Sequence, residues 1–386
     1  MSINHPKLLR AVTVSQSVGF YLPLVPDLQS QGYEVVSLSS PGPELLELRE
    51  KGVRCIEVQM ERHISIKSDL LSLWKIIRVF RKEKPDIVHS MTPKAGMLCM
   101  VAAWICRVPV RIHTFTGLVW PTASGLKRKI LMATDWLTCA CATHVIPEGE
   151  GVKNDLLSHD ITHKLLKVLG YGNVRGIDLE HYARTEVVMR DADKIRVNDA
   201  FTFVFVGRIV RDKGINELVA AFKRLQTKVP KTRLILVGEY EDDLDPITPE
   251  ARKEIDNNPY ILAVGKQEDV RPWLAASDAL VFPSYREGFP NVVIEAGAMG
   301  LPSIVTDING SREIIQDGVN GLIVPSKNED ALLKKMERLV DDTALASYLA
   351  SHARRLVASR YELGYVKQCL LDFYSQINHE KRGGIG

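Results

Sequence analysis

The sequence has few cysteines, no long apolar run and no excess of one charge. Its six cysteines are scattered over 386 residues without zinc-site spacing, so we expect reduced thiols and a cytoplasmic protein. The longest strictly apolar run, residues 97–106, is about half a membrane span, and Lys7 and Arg10 precede a first strand rather than a signal peptide. Fifty Lys and Arg against 47 Asp and Glu exclude wholesale nucleic-acid binding.

Two series of alternating strands and helices predict an α/β fold. We expect two Rossmann-like, doubly wound domains facing a cleft, because parallel strands need helical crossovers. Three glycines within residues 170–176 mark the boundary, which gives an N-terminal domain at 1–180 and a C-terminal domain with the final helices at 181–386. Strands are predicted at residues 8–14, 34–38, 86–89, 111–114, 143–146, 201–206, 233–237, 260–264, 279–282, 303–306 and 321–323.

Two cations follow the first strand of the second half. Gly207 lets the chain turn at the end of this strand, and Arg208 and Lys213 lie in the loop before the next helix. Ligands of open α/β sheets bind at the carboxyl ends of the strands. A guanidinium bonds phosphate oxygens in pairs and an ammonium neutralises diffuse charge, so the loop predicts a diphosphate site. The alternative is a pair of solvated surface cations.

A second loop follows the strand predicted at residues 279–282. Gly288 and Pro290 fix a tight turn, and the backbone N–H groups here precede a helix whose dipole favours an anion. Glu287 stands before the helix and Glu295 about one turn inside it, so both carboxylates can accept bonds from sugar hydroxyls in one crevice. Either carboxylate alone is more often a solvated charge. Their combination with the cations favours a nucleotide-sugar site.

These two loops resemble the paired signatures of glycosyltransferase family 4, retaining nucleotide-sugar enzymes of the GT-B fold that include bacterial surface-polysaccharide enzymes. The resemblance rests on Gly207-Arg208 followed by Lys213-Gly214, and on Glu287 eight residues before Glu295. It implies that Arg208 and Lys213 hold the donor diphosphate and that Glu295 takes the ribose hydroxyls. It covers most of the chain and says little about the substrate.

The resemblance also implies the rest of the donor site. Glu287 and the amides from Gly288 to Asn291 would contact the transferred sugar and its phosphate, and the backbone from Lys266 to Val270 would line the base pocket. The implied catalytic residues are Glu287, Arg208 and Lys213. The implied donor-binding residues are Gly19, Gly207, Arg208, Lys213, Lys266, Val270, Glu287, Gly288, Phe289, Pro290, Asn291 and Glu295.

The N-terminal half departs from the family at one motif. Family members carry His-Thr-x-His-Gly at the end of the fourth strand, whereas this sequence reads His113-Thr-Phe-Thr116-Gly. Thr116 stands where the family has a histidine, and on a strand it points away from the face of His113, so one cannot replace the other. His113 is either a buried core histidine or a site residue. The candidates for the acceptor side are His89, Lys94, His113 and Thr116.

We expect no metal and no other cofactor. The Asp-x-Asp tripeptides at residues 191–193 and 243–245 do not follow strand ends suited to a metal, and we interpret them as loop charges. The family resemblance implies same-face attack in which the departing phosphate takes the acceptor proton, so no protein nucleophile is required. Arg208, Lys213 and the helix N-terminus would stabilise the charge that builds on the departing diphosphate.

A basic amphipathic segment at residues 67–84 predicts a membrane partner. Trp74 and several aliphatic side chains lie among six basic residues, and such a helix can rest in an anionic headgroup layer. Trp120 with residues 127–129 forms a second basic and aromatic patch, and residues 1–185 carry 23 Lys and Arg against 17 Asp and Glu. We therefore expect a protein peripheral to the inner face of the membrane. The alternative is a helix that packs its apolar residues on the N-terminal sheet.

The resemblance leads us to expect a retaining glycosyltransferase that moves a hexose or N-acetylhexosamine from a nucleotide sugar, expected to be UDP-linked. Its acceptor would be lipid-diphosphate-linked or a glycan, in surface polysaccharide synthesis. A nucleotide-sugar epimerase or hydrolase of the same fold and a non-catalytic sensor stay open. A dinucleotide-dependent oxidoreductase would also use twin Rossmann domains, yet residues 15–20 read Ser-Gln-Ser-Val-Gly-Phe instead of G-x-G-x-x-G.

Overall fold

The computed structural model describes residues 5–61, 65–243 and 245–383. By its contacts the chain forms two compact units. The first comprises the residues up to Arg175 together with those from Gly364 onward, and the second runs from Gly176 to Leu363. The division therefore lies five residues before the boundary expected at 180/181, and the final helix stands in the first unit rather than in the second.

The first unit contains a parallel six-stranded sheet. Its strands are β1 (Lys7–Ala11), β2 (Glu34–Ser39), β3 (Arg54–Glu57), β4 (Ile87–Met91), β5 (Val110–Phe115) and β6 (His144–Pro147), in the order β3-β2-β1-β4-β5-β6. Its helices before the division are α1 (Val25–Ser30), α2 (Leu45–Glu50), α3 (Ile66–Glu83), α4 (Pro93–Ile105), α5 (Gly125–Cys141) and α6 (Glu150–Ser158). Short 3-10 turns occupy Ser15–Phe20, Leu22–Leu24 and Trp120–Thr122.

Helices cover both faces of this sheet, so its central strands β1 and β4 are buried almost throughout, including the polar side chains of Arg10 and His89. One core cluster joins Leu9 of β1 to Ile76 of α3, Leu98 of α4 and Cys139 of α5. Leu8, the next residue along β1, points into a separate cluster on the opposite face. Successive residues of a strand alternate between faces, so the adjacent Leu8 and Leu9 serve the two different cores.

The second unit repeats the architecture. Its strands are β7 (Phe201–Val206), β8 (Thr232–Val237), β9 (Ile261–Ala263), β10 (Ala279–Phe282), β11 (Ser303–Thr306) and β12 (Gly321–Val324), in the order β12-β11-β10-β7-β8-β9. Its helices are α7 (Glu186–Asp193), α8 (Ile215–Lys228), α9 (Pro249–Asn257), α10 (Arg271–Ala275), α11 (Asn291–Ala298), α12 (Ser311–Ile314), α13 (Glu329–Asp341) and α14 (Thr343–Tyr361), with a 3-10 turn at Arg211–Lys213.

Strands β7 and β10 are neighbours at the point where the strand order of the second sheet reverses. Phe203 pairs with Ala279 and Val204 with Leu280, both in parallel register. The chain leaves β7 toward β8 on one side and leaves β10 toward β11 on the other, so the direction of the sheet topology switches between these two strands. Ligands of doubly wound sheets bind at such a switch point. The two loops predicted to bind the donor follow these two strands.

The last helix, α15 (Leu363–Gly383), packs on the first unit. Leu370, Phe373 and Tyr374 are buried in the same cluster as Leu8 of β1. Tyr374 also accepts a hydrogen bond from Nη1 of the fully buried Arg10, at 2.6 Å. All of the final helices were expected in the second domain, whereas the apolar face of α15 completes a core of the first unit.

Candidate active site

The two loops at the switch point of the second sheet contact one another. We call residues 207–214 the cation loop and residues 283–290 the carboxylate loop. The backbone N–H of Tyr285 donates to the carbonyl oxygen of Asp212 at 2.8 Å, and Nη2 of Arg286 lies 3.1 Å from Oδ2 of Asp212. Gly214 has φ of +72°, and a Cβ built on it would lie 2.1 Å from the carbonyl oxygen of Pro283. Only glycine fits this close approach.

Lys213 and Glu287 meet where the two loops touch. The ammonium of Lys213 donates to Oε1 of Glu287, and the two side chains are 14% and 16% exposed. The buried hydroxyl of Ser284 donates to the same oxygen at 2.7 Å. Lys213 Nζ also lies 5.5 Å from the ring centroid of Phe282, at the end of β10. The structure therefore brings together one predicted cation and one predicted carboxylate.

Arg208 has a different partner. Its Nη1 lies 2.5 Å from Oε2 of Glu241, in the loop after β8, and its side chain is 46% exposed. Arg208 and Lys213 were both expected to hold the donor diphosphate; in the structure each is paired with its own carboxylate. Because the Arg208 pair is half exposed, its net contribution to stability is small, and the guanidinium can exchange Glu241 for a ligand at little cost.

Helix α11 begins directly after the carboxylate loop. Pro290 occupies the N-cap position, and Asn291 is the first helical residue. Proline has no N–H, so the backbone donors at this end come from the other residues of the loop and of the first turn. Phe289 turns its side chain into the core, with its ring centroid 5.5 Å from that of Tyr361, and Gly288 and Glu295 are half-buried.

Four residues that hold the two loops in place were not predicted: Arg211, Glu217, Asp245 and Tyr285. Asp245 accepts the backbone N–H of Asp212 at 2.7 Å and pairs with Arg211 at 2.9 Å, which fixes the cation loop. The hydroxyl of Tyr285 donates to Glu217 at 2.6 Å and fixes the carboxylate loop to α8. Nothing in the sequence indicated these contacts. Only Ser284 could have been found from the sequence, because it lies three residues before Glu287, a spacing typical of local side-chain hydrogen bonds.

The remaining predicted donor residues lie in loops. Lys266 is exposed in the loop after β9, and Val270 is the half-buried N-cap residue of α10. Gly207 follows β7 directly, and its N–H donates to the carbonyl oxygen of Val237 at 2.9 Å. Gly19 lies in the 3-10 turn after β1, in the first unit, and an added Cβ there would meet no atom within 4 Å.

His113 is a buried core residue of the first unit. Its Nδ1 lies 2.9 Å from the hydroxyl of Ser90, and its ring packs edge-on against Phe115 with a centroid distance of 4.4 Å. Burial lowers the pKa of His113 to about 3, so the imidazole is neutral. Gly96 packs against this ring, since an added Cβ would lie 2.3 Å from Cε1. Thr116, the position of the family histidine, follows β5 and is half-buried.

His89 is also buried, within a polar network rather than at a surface. Its Nδ1 lies 2.6 Å from the hydroxyl of Tyr374 and its Nε2 lies 2.7 Å from the hydroxyl of Thr114. Burial, with the neighbouring Arg10 charge, lowers the pKa of His89 well below its usual value. Lys94 pairs with Asp69 at 2.6 Å. We therefore expect neither His89 nor Lys94 to bind an acceptor without rearrangement of these contacts.

The two Asp-x-Asp tripeptides lie in different settings. Residues 191–193 lie in α7 and not in a loop, and Asp191 pairs with Lys194 at 2.6 Å. In the other tripeptide residue 244 lies outside the described residues, and Asp245 is engaged by the cation loop. Among the described residues no group of three or more His, Cys, Asp and Glu side chains is placed to hold a metal ion.

Two family profiles match the two halves of the chain. The profile described as Glycosyl transferases group 1 matches residues 200–342, which include both loops of the candidate site. The profile described as Glycosyl transferase 4-like domain matches residues 22–172.

Individual relatives match over nearly the whole length. The chain is 31% identical over 382 residues to the capsular polysaccharide biosynthesis glycosyltransferase CapM of Staphylococcus aureus, covering 99% of this chain and 100% of the relative. It is 24% identical over 374 residues to the UDP-Gal:alpha-D-GlcNAc-diphosphoundecaprenol alpha-1,3-galactosyltransferase of Escherichia coli, covering 94% of each. The crystal structure of Anabaena HepE in complex with UDP and glucose superposes with a TM-score of 0.79 at 18% identity, covering 96% of this chain and 100% of that one. The chain therefore belongs to glycosyltransferase family 4 and is a glycosyltransferase with the GT-B fold.

Proposed function

We propose that this enzyme transfers a hexose or N-acetylhexosamine from a UDP-sugar to a lipid-diphosphate-linked acceptor in surface polysaccharide synthesis, with retention of configuration. The observation that carries the donor part is the contact between Lys213 and Glu287 at the switch point of the second sheet. Because the chain belongs to this family, the alternative function of a dinucleotide-dependent oxidoreductase is excluded. A nucleotide-sugar epimerase or hydrolase remains the alternative, and it differs by needing no acceptor.

The donor diphosphate would bind between the two loops. An arriving phosphate replaces Glu287 as the partner of the Lys213 ammonium, since both are anions that fit the same donor. Glu287 keeps its hydrogen bond from Ser284 and can then accept a second hydrogen bond from a hydroxyl of the transferred sugar. Arg208 leaves Glu241 and binds the second phosphate instead. Glu295 on α11 accepts hydrogen bonds from the ribose hydroxyls.

Catalysis would be mainly electrostatic. Departure of UDP builds negative charge on the phosphate beside Lys213, Arg208 and the N-terminus of α11, and fixed charges stabilise it without reorganisation. The departing phosphate takes the proton of the acceptor hydroxyl as the new glycosidic bond forms on the same face. This scheme assigns no step to a metal ion, and we propose that the reaction needs none.

The proposal for the acceptor rests on the relatives. The Escherichia coli relative is named for an acceptor with a diphosphoundecaprenol carrier, and the Staphylococcus aureus relative for capsular polysaccharide biosynthesis. Within the described residues no helix is long and apolar enough to cross a membrane.

Turnover of UDP-sugars with and without a lipid-diphosphate-linked sugar tests the proposal. UDP release should depend on the acceptor, survive EDTA and give a product with the anomeric configuration of the donor, read by NMR. Lys213→Ala and Glu295→Ala should each lower turnover at least about tenfold, which equals roughly 1.4 kcal/mol of transition-state stabilisation.

The matched control is Lys223→Ala, which breaks an ion pair with Glu254 (2.7 Å) on the surface of the same unit and should leave turnover unchanged. Equal UDP release with and without acceptor would favour the epimerase or hydrolase. Wild-type rates in both site variants would overturn the site assignment.

A further inference from the structure

Three of the five tryptophans lie exposed on helices of the first unit. Trp74 on α3, Trp104 on α4 and Trp136 on α5 are 53%, 59% and 55% exposed. Large apolar side chains are exposed beside them on the same helices: Ile66, Leu70, Leu71, Ile105, Leu126, Ile130 and Leu137. We call these ten residues the tryptophan face. Ten large exposed apolar side chains on three neighbouring helices are more typical of a binding surface than of scattered exposure.

The three helices form one layer. Their inner sides share a single core cluster on the sheet, and α4 packs against α3 on one side and α5 on the other. At the end of α4 the Cys106 thiol lies 3.7 Å from the carbonyl oxygen of Ile77 on α3. Residues 95–106 contain no charged side chain, so the middle of the layer is apolar. The outer sides therefore face away from the sheet together.

The layer presents no exposed acidic side chain. The acidic residues of the three helices are Asp69, Glu83 and Asp135. The Asp69 side chain is 14% exposed and paired with Lys94, and that of Glu83 is 6% exposed and paired with Arg54. Asp135 is 8% exposed and accepts a hydrogen bond from a buried indole. Negative charge is thus removed from the outer surface.

Cations remain exposed on the two flanking helices. They are Lys67, Lys75, Arg78, Arg81 and Lys82 on α3, and Lys127 and Lys129 on α5. The guanidinium of Arg78 lies 4.6 Å from the ring centroid of Trp74, so apolar and cationic groups are interleaved. An uncharged centre flanked by cations complements a surface that is apolar within and anionic at its headgroups.

One residue of the predicted basic and aromatic patch does not belong to this surface. Trp120 is 1% exposed and donates through its indole N–H to Asp135 at 3.1 Å, while Arg128 packs over its ring at 5.5 Å. Its prediction as a surface group was wrong because a buried carboxyl partner satisfies the indole. Trp104 and Trp136, which the sequence analysis did not single out, take its place.

We propose that the tryptophan face docks the first unit on an anionic lipid leaflet. The three indoles insert at the level of the headgroups, where amphipathic rings prefer to lie, and the flanking cations pair with lipid phosphates. The proposal deepens the proposed function, since a lipid-linked acceptor is met at a membrane, and its own evidence is the exposure and charge of the three helices. A second copy of the chain would compete for the apolar centre, but seven exposed cations on each copy would repel one another.

The test is binding of the full chain to vesicles, followed by sedimentation and by quenching of tryptophan fluorescence with brominated lipids. Vesicles of phosphatidylethanolamine with phosphatidylglycerol should bind the protein, and vesicles of phosphatidylcholine alone should bind it at least about tenfold less. A rise from about 0.1 M to about 1 M salt should release most of it, because exposed charges are then screened.

Two sets of variants locate the surface. Trp74→Ser with Trp104→Ser and Trp136→Ser, and separately Lys75→Glu with Arg78→Glu and Arg81→Glu, should each lower partitioning at least about tenfold. The matched controls lie on the second unit and should bind like the wild type: Tyr260→Ser with Tyr348→Ser, and Lys231→Glu with Lys253→Glu and Lys334→Glu. Thermal unfolding with and without UDP checks that every variant is folded.

Equal binding by the face variants and the wild type, or equal binding to both kinds of vesicle, would overturn the proposal. So would light scattering that shows a stable dimer which the tryptophan variants convert to monomers. The result of the vesicle assay does not depend on the proposed activity. The tryptophan and charge variants of the face should keep wild-type turnover with a short water-soluble acceptor. Lys213→Ala should lose turnover and still bind vesicles.

Discussion

Comparing Gly214→Ala with a control substitution separates the effect of crowding in the donor site from the effect of backbone strain. Gly214 ends the cation loop in the left-handed region, with φ of +72°, against the carbonyl oxygen of Pro283 in the carboxylate loop. Gly318 has nearly the same backbone angle, φ of +75°, with no atom within 4 Å of an added Cβ. The two substitutions therefore share the backbone penalty and the effect on the unfolded chain, and only one of them crowds the site.

The difference can be worked from the distances. A left-handed alanine costs about 1–2 kcal/mol in either position. At Gly214 the new Cβ would lie 2.1 Å from the oxygen, and ordinary contact begins at 3.4 Å, so the two loops must part by about 1.3 Å. That movement stretches the contact between Lys213 and Glu287. A displacement of about 1 Å in a catalytic constellation costs on the order of 100-fold in rate.

Urea unfolding and UDP-sugar turnover measure the two effects. Gly318→Ala should lower the free energy of unfolding by about 1–2 kcal/mol and leave turnover unchanged. Gly214→Ala should lose more stability than this control and about 100-fold in turnover. If Gly214→Ala matched Gly318→Ala in both assays, the close approach of the loops would have no role in the site.

Two further predictions concern carboxylates. Burial raises the pKa of Asp135 to about 7, although the indole N–H of Trp120 opposes this, so the folded protein keeps a proton that the unfolded chain releases and its stability falls as pH rises from about 4 to about 7. Asp135→Asn should therefore gain about 4 kcal/mol in urea unfolding at pH 8 and nothing at pH 4, and an equal gain at both would contradict the assignment. Asp245→Ala removes the acceptor of the Asp212 N–H and should lower UDP-sugar turnover about tenfold. Asp256→Ala, which breaks a surface pair with Arg252 (3.5 Å), is its control, and equal turnover in the two variants would refute a positioning role.

The strands that could be predicted from the sequence are those that are buried on both faces of a sheet, because they form nearly continuous apolar runs. Strands such as β7 and β10 coincide with the predictions, and the family and the GT-B fold are confirmed. Strand β3, Arg54–Glu57, was missed because it lies at the sheet edge with charged residues at both ends. Helix α7 was not predicted, and its residues 191–193 were interpreted as loop charges, because only a few apolar residues, Val188 and Ala192 among them, contact the core.

The candidate site was predictable as two loops but not as a set of contacts. Strand ends and glycines locate the loops, because a parallel sheet places its carboxyl ends at one edge. Which carboxylate pairs with which cation depends on the turns within each loop, so the partners Glu287 for Lys213 and Glu241 for Arg208 became visible only in the structure. The roles assigned to these residues stay predictions until the variants are assayed.

Because α15 belongs to the first unit, that unit cannot complete its core until the end of the chain has been made. Leu370, Phe373 and Tyr374 complete a core whose members from Leu8 to Ile146 precede them by more than 200 residues. The leading half of the chain must therefore wait, with part of its interior uncovered, while the trailing half emerges and folds as a continuous segment. A stop codon anywhere before α15 would damage the domain that was made first.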